Sequence, residues 1–68
     1  MARHNWARIQ EQLKASPGMW HHVAEFVQYS AGTKLRRAGF EIHMQRQTTS
    51  GLYRMFAAYR PTKPFEEV

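Results

Sequence analysis

Two alternating segments joined by a four-residue polar turn constrain this chain more than any other feature. In Phe40–Gln47, Phe40, Ile42 and Met44 fall on one side, and Glu41, His43, Gln45 and Gln47 on the other. Thr48-Thr49-Ser50-Gly51 interrupts the pattern, and Leu52–Arg60 resumes it, with Tyr53, Met55, Ala57 and Tyr59 on one side. Side chains of a strand alternate between faces, so each run reads as a strand, and so short a loop makes them an antiparallel hairpin. Pro61 ends the second strand, and residues 62–68 read as a loose tail beyond a single domain over 1–61.

A hairpin alone is marginal in water and must bury one face against something else. The segments before it supply the partners. Trp6, Ile9 and Leu13 recur at i, i+3 and i+7, which predicts a short amphipathic helix over Asn5–Lys14. Asn5 is placed to cap it, and Ser16-Pro17-Gly18 to stop it. Met19–Tyr29 fits both periods. Its β-branched and aromatic content and its position after a Pro-Gly turn favour a strand, with Trp20, His22, Ala24 and Phe26 on one face. Ser30 or Thr33 is placed to cap a second helix ending near Ala38, with Ala31, Leu35 and Ala38 facing inward. Gly39 supplies its left-handed terminus. The expected fold is a small α+β domain in the order helix-strand-helix-strand-strand. Both helices lie on one face of a three-stranded sheet, and a crossover joins the first two strands. Trp6 and Trp20 are the expected large core residues, packing the first helix on the sheet.

At 68 residues the core is thin, and no cysteine is present to add a disulfide or a thiolate metal site. Stabilisation by a partner or by a second copy, as a homodimer, fits a chain of this size. The start lacks an apolar signal segment, and no apolar run approaches the roughly 18 residues of a membrane span. The expectation is a cytoplasmic protein with no membrane contact, and the initiating methionine and length read as a complete small gene product.

The charge is segregated. Ser30–Arg60 holds six cations and one anion, a net +5, whereas the remaining residues carry four of each sign and sum to zero. Lys34, Arg36 and Arg37 at the end of the second helix stabilise it against the helix dipole by about 0.3–1 kcal/mol each. With Arg46, Arg54 and Arg60 of the hairpin they also suit a phosphate backbone or an acidic surface of a host protein. Gln45, Gln47 and Thr48 add groups able to hydrogen-bond base edges. Tyr29, Tyr53, Phe56 and Tyr59 are rings on which bases stack, if they are not consumed by the core.

Catalysis and metal binding find no support. Ser30, Ser50 and the four histidines (His4, His21, His22 and His43) form no nucleophile–base–orienter spacing. On a strand His21 and His22 point to opposite faces, and His43 with Glu41 reads as an exposed polar pair. No cofactor is expected. The reading is a non-enzymatic binding protein that contacts DNA or other nucleic acid through the hairpin and second helix, with a protein–protein effector as the alternative.

Pro17-Gly18-Met19-Trp20-His21-His22-Val23, then Ser30-Ala31, then Leu35-Arg36-Arg37-Ala38-Gly39-Phe40-Glu41, precede a Tyr- and Arg-rich strand after Gly51. These phrases resemble short uncharacterised proteins of actinobacteria and their phages, over roughly residues 6–60. The resemblance implies a small cytoplasmic α+β domain, often an accessory phage gene product, and brings no catalytic residue.

Overall fold

The computed structural model describes residues 5–66. Helix α1 spans Trp6–Ala15, strand β1 Trp20–Val27, a 3₁₀ turn Tyr29–Gly32, helix α2 Thr33–Arg37, strand β2 Glu41–Arg46 and strand β3 Tyr53–Ala58. The chain is therefore the expected α+β domain in the expected order.

The hairpin sets the sheet. β2 and β3 pair antiparallel from Arg46↔Tyr53 to Glu41↔Ala58, without a register break. β1 joins the other edge of β3, also antiparallel, so the sheet order is β1-β3-β2. β1 and β2 thus run in the same direction but are not neighbours, and the crossover through α2 spans the position of β3. Being central, β3 is the most buried strand, with Met55, Ala57 and Ala58 fully removed from solvent.

Both helices cover one face of this sheet. Leu13 of α1 and Leu35 of α2 meet Met55, Ala57, Ala24, Val27 and Phe40 in one cluster, with Trp6, Ile9, Ile42 and Met44 packed around it. The Asn5 side chain caps α1 by accepting from Arg8 N at 3.1 Å. Gly18 N–H donates to Tyr59 O at 2.8 Å, tying the turn after α1 to the end of β3.

α2 is shorter than its pattern suggests. The 3₁₀ turn takes up residues 29–32, and Gly32 stands at the cap position with no side-chain bond, so neither Ser30 nor Thr33 caps it. A Cβ on Gly32 would lie 3.0 Å from Ile42 Cγ2, so the chain passes close to the sheet at the start of α2. Ala38 is exposed rather than inward, because the helix ends one residue earlier. At the other end Gly39 adopts φ 97°, Phe40 N–H donates to Leu35 O, and Gly39 N–H donates to Arg36 O. This is the Schellman arrangement, and it swings Phe40 into the core.

β1 departs from simple alternation. Its register to β3 shifts between His22 and Ala24 and again between Ala24 and Val27. Extra residues on one strand re-aim the side chains that follow. Ala24 and Val27 therefore sit on the helix-covered face, whereas Trp20 and His22 stay on the opposite one.

The opposite face is partly covered by the chain's C-terminal segment. Trp20 packs here rather than against α1: its Nε1–H donates to Lys63 O at 3.0 Å, and its ring meets Phe65 edge-on at 5.4 Å. Phe65 stacks on His43 at 4.1 Å and lies 4.7 Å from Phe56. Lys63 and Phe65 of the expected loose tail thus dock on the sheet, where Trp20, His43 and Phe56 receive them. His43 is covered, not an exposed partner of Glu41. Residues 67 and 68 lie outside the described part.

Leu35→Ala removes a fully buried side chain and is expected to cost about 2–5 kcal/mol, comparable to the stability of a small domain. Phe65→Ala only releases the tail from a half-buried site, so its loss is smaller. Urea unfolding of the two variants checks this; equal losses would make the tail part of the core.

Candidate functional site

The six cations of the 30–60 stretch do not form one patch. Lys34, Arg36 and Arg37 are exposed on α2, and Arg46 is exposed at the end of β2. The Arg36 guanidinium lies over the Tyr29 ring, 5.6 Å from its centroid. Tyr29 meets Tyr53 edge-to-face at 5.3 Å, and Tyr53 is the cross-strand partner of Arg46. Arg36, Tyr29, Tyr53 and Arg46 therefore form a continuous line joining α2 to the turn end of the hairpin. Both tyrosine contacts have ordinary aromatic and cation–π geometry.

Arg54 belongs elsewhere. It pairs with Gln45, not Arg46, so the two hairpin arginines point to opposite faces. Its Nε lies 3.4 Å from Glu25 Oε1, and the same oxygen lies 3.5 Å from His22 Nε2. The three groups are partly exposed, so the pairing is worth no more than about 1 kcal/mol, but Glu25 offsets the field of Arg54. Arg60 stands beyond the far end of β3, over the Tyr59 ring at 5.2 Å. At about 3.3 Å per strand residue it is roughly 20 Å from the hairpin turn.

Two of the three hydrogen-bonding side chains expected to read bases, Gln47 and Thr48, are occupied. Gln47 Oε1 accepts from Phe26 N at 3.0 Å. Thr48 Oγ1 lies 2.7 Å from Ser50 Oγ and 3.4 Å from Leu52 N, holding the loop together. Gln45 is half-buried beside Arg54. These residues build the hairpin end.

Among the rings, Phe56 is covered by Phe65, and Tyr59 packs on Phe40 at 5.4 Å. Tyr29 is 54% exposed. The residue that sequence reasoning overlooked is Phe26, 57% exposed with φ 54°. A left-handed backbone at a bulky non-glycine residue costs on the order of 1–3 kcal/mol and clusters at functional positions. Its exposure follows from the double bulge, whose register no local pattern reveals.

His21 faces the helices, and its Nε2 is buried with no hydrogen-bond partner. Among the described residues no group of three or more His, Asp or Glu could hold a metal ion, and no helix is long and apolar enough to cross a membrane. His4 lies outside the described part. A cavity of about 300 Å³ lined by Gly18, Trp20, Thr62, Lys63, Phe65 and Glu66 lies under the tail, away from the Arg36–Arg46 line. Comparison with protein families, with curated proteins and with solved structures gives no match.

Phe26→Gly is expected to raise stability by up to about 1.5 kcal/mol. Relief of the left-handed backbone, about 1–2 kcal/mol, exceeds the entropic cost of glycine, about 0.5–1 kcal/mol. Phe26→Val, β-branched at the same backbone angle, is expected to lower the melting temperature. Thermal unfolding checks both, and a valine variant as stable as the parent would contradict the strained geometry.

Proposed function

We propose that this chain is a small non-enzymatic binding protein that contacts nucleic acid where α2 meets the turn end of the hairpin. One observation carries the reading: exposed Arg36 and Arg46, from separate elements, are joined through Tyr29 and the half-buried Tyr53 into one continuous line. Lys34 and Arg37 extend it along α2. Cations arrayed over such a length neutralise successive phosphates and release their counterions, which gives affinity with little sequence preference. Because Gln47 and Thr48 hold the hairpin end, base-edge recognition by these side chains has no part in the proposal.

The same occupied side chains favour a second reading, an accessory effector of phage type docking on an acidic surface of a host protein. A charge-only dock needs no base readout. Capture from a host lysate separates the two: nuclease treatment abolishes it if nucleic acid is the partner and leaves it unchanged if an acidic protein is.

In direct titration, log affinity for nucleic acid should fall linearly with log salt. Arg36→Ala and Arg46→Ala should each reduce the magnitude of the slope by about 0.7–0.9, one phosphate contact apiece. Both are exposed, so stability should stay within about 0.5 kcal/mol of the parent. Arg54→Ala should leave the slope unchanged. The proposal fails if no nucleic acid binds at about 50 mM salt, where phosphate-driven affinity is strong.

A further inference from the structure

We propose that the exposed rings of Phe26 and Tyr29, with Arg36 over Tyr29 and Arg46 linked to it through Tyr53, form a stacking platform that selects single-stranded over duplex nucleic acid. This rests on the nucleic-acid reading above and names its substrate class.

Three features favour a single strand. First, the two rings are among the three most exposed large hydrophobic side chains of the described residues. They stand three positions apart, where β1 leaves the sheet. An unpaired base offers a flat π-face to such rings, whereas duplex bases are stacked on each other and present only their edges. Second, Phe26 is displayed at a conformational cost. Its φ of 54° is a glycine-like angle, and the Gln47 side chain reaches it from the far side of the hairpin to bond its N–H at 3.0 Å. A purely structural bulge would be served better by glycine, so the ring itself is what the position supplies. Third, cations stand on the Tyr29 side of the pair. Arg36 lies 5.6 Å from the Tyr29 centroid, and Arg46 is across the strand pair from Tyr53, which touches Tyr29. Phosphates flanking a stacked base would meet them, and the guanidinium of Arg36 provides a second planar surface for a base.

The remaining aromatic cluster does not compete for this role. Trp20, His43 and Phe56 lie on the opposite face, where Phe65 covers them.

Fluorescence anisotropy decides the matter, with a labelled oligothymidylate of about 12 nucleotides, within the span one small domain occupies, and a hairpin duplex carrying the same number of phosphates. The parent should bind the single strand more tightly than the duplex at equal salt. Phe26→Gly, which keeps the backbone angle unstrained, and Tyr29→Leu should each weaken the single strand by about 5- to 150-fold, the equivalent of one lost base stack. Tyr29→Phe should retain binding, because the ring remains. The salt slope should be unchanged in the ring variants and reduced in Arg36→Ala, which separates stacking from phosphate contact. Duplex preference, or parental single-strand affinity in both Phe26→Gly and Tyr29→Leu, overturns the platform while leaving the nucleic-acid reading intact. Absence of binding to either probe overturns both.

Discussion

Everything in this domain depends on the burial of β3 between two antiparallel neighbours. Met55, Ala57 and Ala58 are fully buried, and the small alanines let layers approach from both sides. On one side Leu13 and Leu35 close over Met55 and Ala57; on the other, Trp20 pairs opposite Ala58, beside the site where the tail docks. A central strand sandwiched in this way gives 68 residues a core on one face and an aromatic cover on the other. Without a disulfide, that division is how so short a chain removes enough apolar surface from water.

The bulges of β1 follow from the same constraint. The strand must present Ala24 and Val27 to the helices while keeping Trp20 and His22 on the tail side, and unbroken alternation from Trp20 allows only one of these. Inserting residues at two points resolves the conflict and leaves Phe26 in a left-handed conformation at the sheet edge. Bulges at edges also obstruct pairing with a second chain, so the irregular edge protects β1 from strand addition. Antiparallel pairing on β3 sets the end of β1 beside the hairpin turn, with Val27 opposite Tyr53 and Tyr29 against Tyr53.

Charge and shape then act at different levels. The segregated +5 sets a field over the C-terminal half, but folding divides its sources. Arg54 is offset by Glu25, Arg60 stands at the far end of β3, and Arg36 and Arg46 converge around two tyrosines. A net charge spread along the sequence becomes a directed surface only where the topology brings its members together.

The local patterns determined the elements of this protein. Alternation in Phe40–Gln47 and Leu52–Arg60 specifies the hairpin, the i, i+3, i+7 spacing of Trp6, Ile9 and Leu13 specifies α1, and Gly39 specifies the end of α2. Each of these is governed by interactions within a few residues, which is why the chain displays them without its partners. The place of β3 between β1 and β2, the docking of Phe65 on His43, and the reversal that buries Ala24 depend on contacts between residues distant in sequence. So did the division of the arginines: Arg46 and Arg54 look equivalent around one turn, and only the pairing register sends them to opposite faces. Phe26 is the sharpest case, because its conformation is imposed by the register of β1 on β3 and by a glutamine 21 positions away. Register is a property of two strands at once, and no single stretch of sequence contains it.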